Sequence, residues 1–223
     1  MKVILFGATG MVGQGVLREC LLADDVTAVV TVGRAATGQT HPKLTELVHA
    51  DLLHYAAIED QLAGYDACFF CLGVSAAGMS EADYTRITYD VTLAAAETLA
   101  RVSPQLTFIY VSGAGTDETE TKGAMWARVK GRTENALRKL PLKAAVMFRP
   151  GLIRPLHGIV SKTRLYRIAY ILAWPFYPVL SLFGALTNTE RVGRAMLNVA
   201  RHGSPTPLVG NREINQLAAD HAK

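Results

Sequence analysis

The chain has 223 residues, half of them hydrophobic and 19% charged, with a formal net charge of +4; this suffices for one α/β domain with a large core and excludes a disordered chain. Its 23 basic residues are scattered, with loose groupings only at 128–138 and 162–167, so a nucleic-acid-binding stripe is excluded, whereas a mild positive balance suits an anionic ligand or weak contact with an anionic membrane surface. Three cysteines, Cys20, Cys68 and Cys71, leave an odd count without metal spacing.

The first predicted strand, about 2–6, runs directly into Gly7-Ala8-Thr9-Gly10-Met11-Val12-Gly13, which opens a helix over 11–22. This is the Rossmann context for a glycine motif. Gly7 permits the tight turn, Gly10 lets the backbone approach a pyrophosphate, Gly13 lets helix and strand pack closely, and the helix N-terminus offers free N–H groups to phosphates. The implied ligand is a dinucleotide; the structural alternative is a strand-turn-helix whose glycines only relieve strain.

The second strand, about 26–32, ends at Gly33-Arg34, where an NAD-specific domain presents an acidic side chain to the ribose 2′-hydroxyl. Here there is none, and a guanidinium at Arg34 suits a 2′-phosphate, which favours NADP over NAD; the alternative is a solvated surface arginine. A third strand, 46–50, leads into Asp51-Leu52, where the carboxylate either accepts a hydrogen bond from an adenine amino group or caps a local turn. The fourth, 66–72, contains Cys68-x-x-Cys71 and ends at Cys71-Leu72-Gly73, at the crevice side of the sheet. Residues three apart on a strand face opposite ways, so the two cysteines do not form a redox pair.

A helix over 80–101 starts at Ser80 with Asp83 three residues on, a weaker relative of the capping box. The fifth strand, 106–112, delivers Ser112 to the same rim, either as a functional hydroxyl or as a turn former before Gly113. A helix over 123–139 and a sixth strand, 143–149, follow, the latter ending in Arg149-Pro150-Gly151. Beyond it the texture changes. The apolar segment 165–186 carries Arg167, Pro175 and Pro178, which argue against a spanning helix because lipid cannot satisfy the backbone groups that proline frees. It is read instead as a helical region that shapes a substrate pocket or subunit interface, or touches a membrane peripherally. A final helix over 189–202, and a short strand near 207–209 followed by residues 213–219, complete the chain.

The alternation of buried strands with helices predicts a doubly wound parallel α/β sheet of Rossmann type, with a cofactor-binding core over 1–155 and a small, mostly helical C-terminal region over 156–223 returning to it. No Gly-x-Ser-x-Gly surrounds Ser112 and no histidine has metal spacing with carboxylates, so hydrolase and metal chemistry are set aside. His157, after the sixth strand, is read as substrate-side or as a loop histidine. Free thiols and an N-terminus without signal-peptide features point to a reducing, cytoplasmic location.

Taken together, the Gly7–Gly13 loop, Asp51-Leu52, Val111-Ser112, Lys130-Gly-Arg-Thr-Glu134 and Phe148-Arg-Pro-Gly151 resemble the atypical and extended short-chain dehydrogenase/reductases, including NAD-dependent epimerase/dehydratase-like proteins, well over 1–155 and loosely beyond. The resemblance implies a nicotinamide dinucleotide held by Gly7, Thr9, Gly10, Met11, Val12, Gly13, Arg34, Asp51, Leu52, Cys71, Leu72, Gly73, Lys130, Pro150 and Gly151, with Ser112 and Lys130 as catalytic candidates and Trp126 and His157 on the substrate side. It also exposes a departure. The family places Tyr-x-x-x-Lys on the helix after strand five, and this chain has Trp126-Ala-Arg-Val-Lys130. Lys130 keeps a role toward the nicotinamide ribose, but an indole only donates and has no acid–base equilibrium to use. Either the protein reduces a small carbonyl or quinone-like compound with a proton from water, Ser112, Tyr84 or Tyr89, or it binds NADP without chemistry, as a sensor or scaffold. Trp126 then stacks on substrate or nicotinamide, or packs in the core. The expected assembly is a monomer or homodimer.

Overall fold

Strand β1 (Lys2–Phe6) is apolar after Lys2 because both its faces are covered, and Val3, Ile4, Leu5 and Phe6 are all fully buried. It lies at the centre of a computed structural model that describes residues 1–160 and 186–219. Around it run α1 (Met11–Leu22), β2 (Ala28–Gly33), β3 (Leu44–Val48), β4 (Ala67–Phe70), α2 (Glu81–Thr85), α3 (Val91–Val102), β5 (Thr107–Val111), α4 (Met125–Leu137) and β6 (Ala144–Arg149). The chain continues through β7 (Leu152–Arg154), β8 (Leu186–Asn188), α5 (Thr189–His202), β9 (Leu208–Gly210) and α6 (Asn211–Ala219).

Seven strands pair in the order β3-β2-β1-β4-β5-β6-β9, every pair parallel. The expected doubly wound sheet is therefore present. Alternate residues of each strand feed two cores. Val3, Leu5, Phe69, Ile109 and Phe148 pack toward Val16 and Leu17 of α1 and Val192 and Met196 of α5. Ile4, Phe6, Phe70, Phe108 and Tyr110 pack toward Ala96 and Leu99 of α3 and Leu137 of α4. Cys71 lies against the first core and Cys68 belongs to the second, so the two thiols do face opposite ways, and all three cysteines are free. The order reverses between β1 and β4, which opens a crevice at their carboxyl ends.

Three local features differ from the sequence reading. β3 lies two residues earlier than expected, because the chain leaves the sheet at His49 to enter the turn built by Asp51. The helix expected over 80–101 is interrupted by a π-helical turn, Arg86–Asp90. There the Val91 N–H reaches back to the Arg86 carbonyl, and the Thr92 hydroxyl bonds the Thr88 carbonyl at 2.5 Å. A single π turn of this kind is too short to stand out from the α-helical pattern on either side of it. Finally, β7 and β8 form a small parallel sheet of their own, joining residues over 30 positions apart in sequence. The apolar residues 165–185 lie outside the described residues, and no helix among the described residues is long and apolar enough to cross a membrane.

Candidate functional site

The crevice between β1 and β4 is walled by backbone. Gly7 has φ +77°, and a Cβ there would lie 2.6 Å from both the Cys71 carbonyl carbon and the Leu72 nitrogen. The Gly10 N–H closes the turn on the Gly7 carbonyl at 2.9 Å, and Gln14 Nε2 braces it from inside by donating to the Thr9 carbonyl at 3.2 Å. A Cβ at Gly13 would overlap the Gly7 carbonyl, 2.7 Å from its carbon and closer to its oxygen. Helix α1 can approach this closely only because position 13 has no side chain. No side chain caps α1 and its first turn holds no acidic residue, which leaves the N–H groups of Met11, Val12 and Gly13 directed at the crevice. Across it, the Cys71 N–H extends the pairing to the Phe6 carbonyl at 3.0 Å, and beyond Leu72 a Cβ at Gly73 would meet nothing within 4 Å. Backbone walls and an uncapped, positive helix end fit a pyrophosphate.

On the β2 side, Arg34 is exposed and has no ion-pair partner among the described residues. The nearest acidic candidate on β3, Glu46, is occupied by Thr37, whose N–H donates at 2.6 Å and whose hydroxyl also donates. Asp51 builds a turn: Oδ1 accepts from the Leu53 N–H at 3.0 Å and Oδ2 from His54 Nδ1 at 2.8 Å. The His54 hydrogen bond, with the Leu53 N–H, holds this carboxyl below the usual range. Leu52, beside it, is buried in the core shared with Phe6.

The opposite end is assembled from β5, β6 and α4. Ser112 is buried; its N–H and its hydroxyl both bond the Phe148 carbonyl, at 2.9 and 3.2 Å. Lys130, from α4, donates through Nζ to the Ser112 carbonyl, and burial pulls its ammonium down to about 8 against the partial opposition of Glu134. Trp126, one turn earlier, lies against Gly115, 3.5 Å from where a Cβ would stand. The loop is tied to the sixth strand by the Ala114 N–H on the Pro150 carbonyl at 2.9 Å, and the Gly151 N–H bonds Asn211 Oδ1 at 3.0 Å. The structure thus gathers Ser112, Trp126, Lys130 and Pro150 at one place. It draws His157 elsewhere: in a left-handed conformation (φ +57°), Nε2 lies 2.7 Å from Glu190 in the first turn of α5. Of the alternative proton sources, Tyr84 is buried and Tyr89 carries the Arg132 guanidinium 4.4 Å above its ring.

The sequence reading missed the pair beneath this end. Glu134 is buried and holds Arg149 through both carboxylate oxygens, Nε at 3.0 Å, while Arg149 also reaches Glu118 at 2.9 Å. The available signal was the i,i+4 spacing of Lys130 and Glu134, which puts both on one helix face.

A glycine loop at a topological switch point, an uncapped helix and a lysine anchored at the neighbouring strand end define a dinucleotide-binding protein of Rossmann fold. A family model described as NAD(P)H-binding matches residues 7–152, well over half of the chain, and the chain belongs to that family. It is similar to a protein named "Protein fmp52, mitochondrial" of Emericella nidulans, 31% identical over 159 residues that cover 68% of this chain and 66% of that one. A "Protein fmp52-2, mitochondrial" of Aspergillus oryzae is 28% identical over 151 residues, covering 67% and 66%. The chain therefore spans just under two thirds of the length of these fungal relatives, although "Protein FMP52-2, mitochondrial" of Scheffersomyces stipitis aligns over 96% of both chains at 27% identity. Among solved structures, WbmF of Bordetella bronchiseptica in complex with NAD+ superposes with TM-score 0.68 at 16% identity, over 98% of this chain and 76% of that one. UDP-glucose 4-epimerase of Thermotoga maritima with UDP-glucose gives 0.67 at 15%, over 98% and 81%. The likeness to both is one of fold.

The names of the fungal relatives overturn the expected cytoplasmic location. The expectation rested on free thiols and on an N-terminus without secretory signal features, which speak to a reducing environment and do not distinguish one such compartment from another.

Proposed function

We propose that this protein is an NADP(H)-dependent oxidoreductase that reduces a small carbonyl or quinone-like compound without a catalytic phenol. The observation that carries the reading is Lys130, half-buried and anchored on the Ser112 carbonyl at the carboxyl end of β5 beside the glycine-walled crevice. The reduced nicotinamide, when bound, supplies hydride. The first turn of α1 holds the pyrophosphate, Arg34 pairs with the 2′-phosphate, Asp51 and Leu52 border the adenine, and Pro150 and Gly151 close the nicotinamide end. Ser112 has given its hydroxyl hydrogen to the Phe148 carbonyl and Trp126 has no proton to exchange, so the substrate oxygen takes its proton from Lys130, whose ammonium burial has made acidic enough to release it near neutral pH. Trp126 supplies a flat apolar wall for the substrate.

A second reading, an NAD(P)-binding sensor or scaffold without turnover, is favoured by the same Trp126 and by the engaged Ser112 hydroxyl. Calorimetry with NADP and NAD, on the native chain and on Arg34→Glu, tests the cofactor assignment: NADP is preferred and the substitution erases the preference, whereas equal native affinities refute it. NADPH oxidation against quinones, flavins and aldehydes separates the two readings, since tight binding with no turnover across that panel selects the sensor. Trp126→Tyr then asks whether carbonyl reduction is gained when the phenol is restored.

A further inference from the structure

We propose that Arg149 is a positioning residue for Lys130: by engaging both oxygens of Glu134 it keeps that carboxylate from pairing with the ammonium and leaves Lys130 on the Ser112 carbonyl. The proposal's bearing on catalysis rests on the reading of Lys130 as the proton donor. Lys130 and Glu134 stand four positions apart in α4, on one face of the helix, so helix spacing by itself favours an ion pair between them. Glu134 is 1% exposed, and a carboxylate so far removed from water needs a cation. The structure supplies a different one. Arg149 donates Nε to Oε1 at 3.0 Å and Nη2 to Oε2, a two-pronged fit that a guanidinium provides and an ammonium does not. Lys130 Nζ donates to the Ser112 carbonyl instead.

The sheet register makes this division possible. Val111 of β5 pairs with Phe148 of β6, and the Ser112 N–H bonds the Phe148 carbonyl at 2.9 Å. The carbonyl that anchors Lys130 and the side chain that anchors Glu134 therefore issue from neighbouring positions at the carboxyl ends of adjacent strands. Around them, exposed Glu118 shares Arg149 Nη2 at 2.9 Å, and Asp117 in the same loop accepts from the N–H groups of Thr119, Thr121 and Lys122. Tyr110 of β5 is buried, which pushes its phenol up and keeps it neutral, and Tyr84 of α2 is buried as well. Glu134 is the group whose charge opposes the desolvation of Lys130. An ammonium on a free carboxylate holds its proton more tightly than one on a neutral carbonyl. Releasing Glu134 from Arg149 would thus undo the acidity that lets Lys130 give up a proton near neutral pH.

A double-mutant cycle read on Lys130 itself tests this. Lysine ¹³Cε NMR of the full chain follows the ammonium through its titration in the native protein, Glu134→Gln, Arg149→Met and the double variant, with the Lys130 signal identified by its loss in Lys130→Met. If Arg149 withholds Glu134, Glu134→Gln lowers the proton affinity of Lys130 by less than about threefold while Arg149 is present, and by more than about tenfold in the Arg149→Met background, where the freed carboxylate has turned to the ammonium. If the two charges act only at a distance, their effects add, and an equal change in both backgrounds overturns the proposal. A folded but less stable Arg149→Met with the native Lys130 titration gives Arg149 a purely structural role and overturns it too. Should Arg149→Met not fold, Arg149→Lys takes its place in the cycle. Its ammonium keeps the charge without covering both oxygens, so the effect of Glu134→Gln again exceeds that in the native background, and equality again overturns the proposal. The titration needs neither cofactor nor substrate. Absence of NADPH oxidation by the native protein overturns the reductase reading separately, and the cycle alone decides the role of Arg149.

Discussion

Replacing Gly13 by alanine sets the glycine loop against the helix it feeds. The added Cβ would stand 2.7 Å from the Gly7 carbonyl carbon and 2.9 Å from the Ala8 Cα, and closer still to the Gly7 oxygen, whereas carbon atoms rest at about 3.5–4.0 Å. Every colliding atom is backbone, so no rotamer relieves the overlap and α1 must retreat by roughly 1 Å. Overpacking of this kind costs about 1–3 kcal/mol, against a gain of up to about 1 kcal/mol from alanine's helix propensity. A net loss of about 1–2 kcal/mol, or roughly 2–8 °C in Tm for a chain of this size, is expected, together with at least a tenfold loss of NADPH affinity as the first-turn N–H groups withdraw. Gly10→Ala is the control. Its Cβ would meet only the Gly7 oxygen, at 3.2 Å, on a backbone with φ −81° that alanine adopts freely. Stability should stay within about 1 kcal/mol of native while affinity falls, because the methyl covers the floor of the crevice. Thermal unfolding and fluorescence titration with NADPH measure both quantities. Native stability and native affinity in Gly13→Ala would refute the geometry argued for the loop.

Lys130→Met tests the desolvated ammonium. With its pKa drawn from 10.5 to about 8 by desolvation, the folded state binds this proton less readily than the unfolded chain does. The penalty is full below about pH 8 and fades as pH rises toward 10.5, so native stability gains from this group across that window. At about 1.4 kcal/mol per pKa unit, less the lost bond to the Ser112 carbonyl, the methionine variant should be about 1–2 kcal/mol more stable at pH 7, with the gain gone by pH 10.5 in urea unfolding. Tyr55→Phe removes a buried hydroxyl without a hydrogen-bond partner among the described residues, and a stability increase of about 1 kcal/mol is expected; a decrease would mean that the hydroxyl is satisfied. Burial pushes the thiols of Cys20 and Cys68 up, so these two should not react with Ellman's reagent in the native protein, at most the half-buried Cys71 should, and all three should after unfolding. Rapid native labelling of Cys20 or Cys68 would contradict their placement.

The pyrophosphate end of the candidate site was legible in the linear chain, and the nicotinamide end only partly. Gly7, Gly10 and Gly13 act within seven residues, through turn geometry and a close helix approach that the chain imposes wherever it folds. Arg34 and Asp51 were located by their strand ends, but whether each was free or engaged depended on Thr37 and His54. Ser112 was located by its strand end and Lys130 by the helix spacing, yet the bond between them crosses 18 positions, and the carbonyl that occupies the Ser112 hydroxyl is 36 away.

By itself the sequence determined the strand and helix order, the glycine loop and the absence of a phenol at position 126, because periodicity, backbone freedom and side-chain chemistry are local properties. Tertiary structure alone decided the π turn at Arg86–Asp90, the β7–β8 pairing, the tie of His157 to Glu190, and the Glu134–Arg149–Glu118 cluster under Lys130. Each of these depends on which elements pack together and at what register, and a buried charge or hydroxyl takes the nearest partner that packing brings to it.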